Sequence, residues 1–468
     1  MPDRSSVKVP GDSSASQGAT TSTNLGSGSL TLLVVASMIG SGVFTTSGFT
    51  LGAVGSPLRV LLCWLIAGAV AVCGSIAYGQ LARLMPQSGG EYLYLSRNVH
   101  PAAGFLAGWV SLTAGFSGAI AFAAVAFEQY AVSDELRPNW LSADTVSIAI
   151  ILLCAAAHGW RPFWGKVLQN TAVVFKTIVL FGFLGFAACQ APSHSWHLQV
   201  LDSAPAVGPS LIAAIATSLV WISLSYAGFN AAVYVASESE QAGRNVPRSL
   251  FAGTILVTGL YLILNAVFVT SVPGVEMAWQ EPVAAISAFA LGGRSLEILI
   301  RVAVCLGLFT SISGMIMTGP RVYSKMADDG VFPAVFAAGS GGISRSIVLQ
   351  AGISIGLIVI QRLLVNAGLL RSSLLGLLIY LGTTLSISSA VCALTLFLPK
   401  VRRQIEDKRI GRDIATIVYA TFTLTAVVVM VSSHEVDGQP QMLHHLTGAG
   451  LTLISGLLAW KLLRRSQS

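Results

Sequence analysis

Apolar residues in this chain do not alternate with polar ones; they come in blocks separated by short polar stretches where the basic residues gather. Each block runs for roughly 18 to 27 residues, long enough as an α-helix to cross a hydrocarbon core of about 30 Å. A membrane β-barrel would show short segments of alternating hydrophobicity instead. The blocks predict about twelve spans, at 31–54, 58–84, 100–127, 141–159, 167–189, 210–236, 249–271, 295–319, 346–363, 372–398, 413–432 and 443–461. The expected class is therefore an all-α membrane protein.

Two blocks are interrupted. In the first, Gly40-Ser41-Gly42 stands between Met38-Ile39 and Val43-Phe44; in the sixth, Ser225-Tyr226-Ala227-Gly228-Phe229 follows the run ending Val220-Trp221-Ile222. An unwound backbone in hydrocarbon leaves N–H and C=O groups unmet at several kcal/mol each, unless it is buried in protein or lines a cavity. Small residues in membrane helices also serve close packing, and one such motif alone favours that reading. Matched breaks in spans one and six favour the other: five spans are an odd number, so the second set enters the bilayer inverted, and breaks at corresponding positions point to a midplane solute site.

Composition narrows the class. Of 468 residues 54% are hydrophobic and 10% charged, far below the charged share of soluble domains. The net charge of +7 does not form a nucleic-acid face, because the basic residues follow alternate loops: Arg83 and Arg97, Arg161 and Lys166, Arg244 and Arg248, Arg321, Lys325 and Arg345, then Lys400, Arg402, Arg403, Lys408, Arg409 and Arg412, and finally Lys461, Arg464 and Arg465. The other loops hold scattered cases such as Arg137, Arg294 and Arg362, so both termini are expected in the cytoplasm of a cell that carries the chain in its inner or plasma membrane. Residues 1–28, rich in Ser, Thr and Gly, lack an apolar core and cleavage site and read as a disordered tail. The expected divisions are a first repeat at 29–190, a second at 209–398, a basic loop at 399–412 and two further helices at 413–463.

The six cysteines, Cys63, Cys73, Cys154, Cys189, Cys305 and Cys392, have no metal spacing and read as small packed hydrophobes; His444-His445 reads as a helix mouth. No cofactor is expected. An intramembrane enzyme would need clustered nucleophiles, bases or metal ligands at depth, and a channel would need rings of carbonyls or charges along a pore; the sequence offers neither pattern.

Four collinear segments carry a family resemblance: ASMIGSGVF in the first span, SGGEYLYL at 88–95, SYAGFN with ESEQAGRNVPRSL at 238–250, and GPRVYSKMADDGVFP at 319–333. Together they resemble amino acid permeases of the amino acid-polyamine-organocation superfamily, on the branch of the L-type amino acid transporters. The resemblance implies a LeuT-like five-plus-five inverted repeat with helices 1 and 6 broken, two extra C-terminal helices, and alternating access. It implies neutral L-amino acids moved by proton symport or exchange, with polyamine or cationic amino acid antiport as the alternative. With no cysteine at 131–140, a disulfide-linked accessory subunit is not expected.

A zwitterion needs donors for its carboxylate and acceptors for its ammonium. Free N–H groups at the half-helix beginning near Val43, with Ile39, Gly40, Ser41 and Gly42, suit the first; carbonyls at the half-helix ending near Leu224, with Ser225, Ala227 and Gly228, suit the second. Leu224 and Phe229 stand where relatives carry an aromatic lid and a Trp, and Trp221 one turn earlier is a substitute gate; ordinary packing is the competing role for Trp221 and Phe229. Asn230 either bonds solute or braces the unwound turn. Lys176 lies about ten residues into span five, near the midplane at 1.5 Å per residue. Intramembrane ionisable residues face bundle interiors and mark ion or proton paths. By the resemblance, Lys176 is expected on the Gly40 carbonyl and Ser311, with Tyr261 supporting the same region; a structural ammonium is the competing reading. Glu128 and Arg301 read as interfacial or paired, and Glu91, Glu238, Asp328 and Asp329 as loop pins or partners for Arg97, Arg244 and Arg321.

Overall fold

Proline opens many of the helices, as its missing N–H and fixed φ suit a first turn. Pro57 begins α3, Pro101 begins α5 and Pro209 begins α9. The computed structural model describes residues 25–132, 137–160, 162–337, 341–405, 410–432, 435–436, 439–440 and 442–465, without the side chains of 159–174, 435–436, 439–440, 442–446 and 465. The tail at 1–24, Arg161, Lys408, Arg409 and the side chains of Lys166 and His444-His445 lie outside the described residues.

Among the described residues the regular structure is helical apart from a two-residue antiparallel pairing of Glu435-Val436 with Gln439-Pro440. In order come α1 (Ser27–Met38), α2 (Gly42–Val54), α3 (Pro57–Leu84), α4 (Gly90–Asn98), α5 (Pro101–Val110), α6 (Ala119–Ala131), α7 (Thr145–Trp160), α8 (Pro162–Gln190), α9 (Pro209–Tyr226), α10 (Ala242–Thr270), α11 (Gly274–Met277), α12 (Val283–Asp328), α13 (Gly342–Asn366), α14 (Ser373–Leu394), α15 (Pro399–Arg402), α16 (Ile410–Ser432) and α17 (Met442–Arg465). A π-helical segment, Ser111–Gly118, joins α5 to α6, and a 3₁₀ helix, Ala227–Glu238, continues α9. Each predicted block overlaps a helix or a run of joined helices. Among the described residues, eight helices are long and apolar enough to cross a membrane, nine with the bent pair α1–α2; Thr145–His158 and Phe175–Gln190 are shorter apolar helices. Gly292 and Gly293, the latter at φ 67°, kink α12 just before the predicted span at 295.

Helices α1, α2, α9 and the 3₁₀ helix pack against α3 and α10, with α8 and α12 on the far side of the first break. The second half of the first span, α2, is pinned to the loop before α12. Trp279, in the left-handed region at φ 66°, donates its N–H to the Gly48 carbonyl at 2.8 Å. A Cβ on Gly48 would fall 1.9 Å from the Gln280 oxygen, and one on Gly52 would fall 2.3 Å from the Trp279 ring. The Arg371 guanidinium at the head of α14 lies 4.6 Å from that ring.

Ion pairs gather where helices end. Glu128, buried at the end of α6, accepts Arg137 at 2.7 Å, the N–H groups of Asp144 and Ser147, and the Ser147 hydroxyl, and so closes the N-terminus of α7. Arg301 pairs with Glu297 at 2.7 Å and reaches the Gln129 and Tyr130 carbonyls that α6 leaves free. Both residues are thus paired. Asp329 accepts Lys325 at 2.6 Å and the Tyr92 hydroxyl at 3.1 Å.

Candidate functional site

The first span breaks at one residue. Ile39 has φ −71° and ψ 76°, the geometry of an inverse γ-turn, and Gly40 N–H closes that turn on the Met38 carbonyl at 2.7 Å. The axes of α1 and α2 consequently differ by 46°. Phe44 N–H turns back to the Ser41 carbonyl at 3.1 Å, while the N–H groups of Ser41, Gly42 and Val43 have no acceptor among the described residues. They are the orphan donors at the start of a thirteen-residue helix.

The γ-turn swings the Ile39 carbonyl off the axis of α1, and Lys176 of α8 donates to it at 2.8 Å. Lys176 is 5% exposed. Its predicted partners need correction: the carbonyl is that of Ile39 and not Gly40, because the turn points Ile39 C=O outward, and Ser311 gives its hydroxyl to Gly307 of its own helix at 3.0 Å. Gly307 meets the lysine stem, since a Cβ there would lie 2.8 Å from Lys176 Cδ. An apolar cavity of about 20 Å³ lies beside Lys176, between Phe44, Val179, Phe183, Phe268 and Val304.

The second interruption is of another kind. Helix α9 does not open; at Ala227 it tightens, the Ala227 N–H bonding Leu224 C=O, and runs on as a twelve-residue 3₁₀ helix with non-helical dihedrals at Val235. Runs of 3₁₀ beyond three or four residues are uncommon, and inside a helix they mark hinges or strain. The expected row of free carbonyls at Leu224, Ser225 and Ala227 is therefore partly engaged: Leu224 C=O holds Ala227, and Ser225 C=O accepts the Tyr261 hydroxyl at 3.1 Å.

Tyr261 of α10 ties the two breaks together, since the same hydroxyl reaches Met38 C=O at 2.5 Å. One hydroxyl proton is thus shared by two carbonyls. The breaks also touch directly. A Cβ on Gly42 would lie 2.3 Å from Ser225 Oγ and 2.9 Å from its Cα, and one on Gly228 would lie 2.6 Å from the Ser37 carbonyl group. These two glycines let the interruptions close on each other.

Trp221 is buried, edge-on to Phe49 of α2 with centroids 6.3 Å apart, on the α2 side of the break; its indole N–H has no partner among the described residues. Phe229 turns the other way, edge-on to Tyr78 at 5.2 Å and to Tyr419 at 6.1 Å. It packs between α3 and α16 and does not face the break. Asn230 is buried and bonds the Tyr234 side chain one turn on. Among the described residues no group of three or more His, Cys, Asp or Glu side chains is placed to hold a metal.

Sequence reasoning missed Tyr130, whose hydroxyl donates to Phe44 C=O at 2.6 Å and accepts Ala284 N–H at 3.2 Å, joining the first turn of α2 to α12. It also missed the chain in which Trp64 donates to Ser47 at 2.9 Å and Ser47 bonds Asn265, whose amide returns to Tyr261 C=O. The available signal was Asn265 standing one turn beyond Tyr261 on the same helix face.

The chain is similar to several curated proteins. It is 27% identical over 337 residues to the human Asc-type amino acid transporter 1, covering 70% of this chain and 63% of that one. It is 26% identical to the human large neutral amino acids transporter small subunit 2, over 65% of this chain and 58% of the relative. It is 24% identical to the serine/threonine exchanger SteT of Bacillus subtilis (strain 168), over 63% of this chain and 66% of that one. The matches to the two human relatives thus span about three fifths of those proteins' length. Residues 25–445 match the amino acid permease model, so nearly all of the helical scaffold around the two breaks is covered, and the chain belongs to the amino acid permease family.

Proposed function

We propose that this chain is a secondary transporter that carries neutral amino acids through a membrane by alternating access. The observation that carries this reading is the row of unpartnered N–H groups at Ser41, Gly42 and Val43, buried beside a second helix interruption and backed by an ammonium on the Ile39 carbonyl. An α-carboxylate supplies the acceptors that row lacks, at the positive end of α2. The α-ammonium then takes the carbonyls of Ser225 and Ala227 once Tyr261 gives its single proton to Met38. Gly42 and Gly228 seal the space between the breaks, so the solute enters only when α2 parts from α9, and leaves only when α1 parts from the 3₁₀ helix. Trp221 with Phe49 forms the outer closure.

No carboxylate bonds any of these residues among the described ones, which favours a neutral solute over lysine, arginine or a polyamine. The relatives' names, neutral amino acids and serine/threonine, agree. Lys176 is the coupling group, cycling between ammonium and amine in symport or staying charged in exchange. We further read 29–190 and 209–398 as the inverted repeats, both termini as cytoplasmic, the site as the cell membrane, and the chain as working without a disulfide-linked partner.

Reconstitution into liposomes tests the reading. Saturable uptake of labelled serine, alanine or leucine, accelerated by internal unlabelled amino acid or driven by an inward proton gradient, is the expected result. Flux that rises linearly with concentration and ignores trans solute would overturn it.

A further inference from the structure

The sequence of SGGEYLYL makes Glu91 a loop pin or an arginine partner; the structure buries that carboxyl. Gly89 at φ 142° and Gly90 at φ 53° both occupy conformations that side chains disfavour, and the double turn directs α4 inward. Glu91 is 7% exposed. Its Oε1 accepts the Tyr78 hydroxyl at 2.5 Å and its Oε2 accepts Ser388 of α14 at 3.2 Å. The other titratable groups facing it are Tyr94 on its own helix, Tyr234 on the 3₁₀ helix, Cys392 on α14 and Tyr419 on α16. No lysine, arginine or histidine pairs with it among the described residues. A carboxyl surrounded by neutral hydroxyls and a thiol has nothing to balance its charge, and burial pushes it up from the usual carboxylate range further than its two hydrogen bonds pull it down.

This cluster grips the second interruption from two sides. The Tyr78 ring that donates to Glu91 carries Phe229 edge-on at 5.2 Å, and Tyr234, bonded to Asn230, lies where a Cβ on Gly90 would come within 2.4 Å of its ring. The 3₁₀ helix therefore cannot leave α3 and α4 without exposing the carboxyl to water.

We propose that Glu91 is a proton-binding group of the transport cycle, on the side that the loop charges assign to the cytoplasm, whose ionisation accompanies separation of the 3₁₀ helix from α3 and α4. Resting on the transporter reading, this adds a proton site remote from Lys176. In the sealed form the carboxyl holds its proton on Oε2, beside the Ser388 hydroxyl, while Oε1 accepts the Tyr78 hydroxyl, which also reaches the Ser389 carbonyl at 3.4 Å. On opening, the carboxyl O–H bond breaks, the proton passes to water, and the hydrated carboxylate accepts from Tyr78 and solvent. Reclosing takes a proton back. Alkalinity on that side favours the open form.

The test uses cells with internal pH clamped by an ionophore, measuring exchange of labelled for unlabelled serine. Wild-type exchange should rise several-fold as the internal pH goes from mildly acid to mildly alkaline; Glu91→Gln should flatten the profile, and Tyr78→Phe, by removing a donor to the carboxylate, should shift its midpoint upward. A Glu91→Gln profile that follows wild type, or an unmoved Tyr78→Phe midpoint, overturns the proposal. Thermal unfolding of the purified protein against pH requires no transport. A proton bound more tightly when folded makes wild-type stability decline with rising pH relative to Glu91→Gln. Parallel curves also overturn the proposal, whereas absent exchange with diverging curves supports it and counts against the transporter reading alone.

Discussion

The two interruptions differ in how their backbones are satisfied. The first is a clean break of one residue: a γ-turn at Ile39, a 46° bend, three idle N–H groups, and a carbonyl held by a side chain from another helix. The second keeps its hydrogen bonds by tightening into a 3₁₀ helix, so its polar groups are strained and lent out to Tyr261 instead of left bare. A break that borrows an ammonium is rigid while the lysine stays. A segment wound too tightly stores its displacement in its own backbone and relaxes when a competitor takes its carbonyls. The first interruption thus leaves N–H donors open among the described residues, and the second keeps its carbonyls engaged.

Removing the lysine strikes this difference hardest. Lys176→Ala strips the one partner that a buried carbonyl has among the described residues, costing about 1–3 kcal/mol, and should abolish labelled amino acid uptake or uncouple it from pH while the protein still reaches the membrane. Unchanged rate and pH response would make the first break self-sufficient. Gly228→Ala comes next: the added methyl meets Ser37 backbone, which cannot rotate away, and overpacking of this kind costs about 1–3 kcal/mol. Exchange should fall roughly tenfold per 1.4 kcal/mol of lost closed form, and a fully active variant would mean that the breaks never meet in the working cycle. The smallest effect belongs to Ser311→Ala. Its hydroxyl serves its own helix, so uptake should stay within about twofold of wild type, as for surface-like changes of about 0.5 kcal/mol. A severe loss would return Ser311 to the side of Lys176.

The sequence made the first break legible because glycine on both sides of a serine in an apolar run has few other uses, and Lys176 because an ammonium at that depth must find an acceptor. It did not reveal which carbonyl the lysine would take, since that depends on a dihedral at Ile39 that the bulky side chain does nothing to advertise. The second interruption was located but misjudged in kind: Ala and Gly permit opening and tightening alike, and the choice is made by the packing of Gly228 on Ser37. Phe229 misled because residue type reports size and not direction. Glu91 was hidden by its neighbours in sequence, which read as a polar loop; only the positive φ of two glycines turns it inward.

The clasp of Gly48 and Gly52 around Trp279 makes α2 and the hairpin that leads into α12 one mechanical part. Whatever tilts the second half of the first span must drag that indole with it, and Arg371 on its other face would then tug on α14. The end of the first span nearest α12, by this linkage, works as a ratchet pawl whose tooth is an aromatic ring seated where Gly52 has no methyl group.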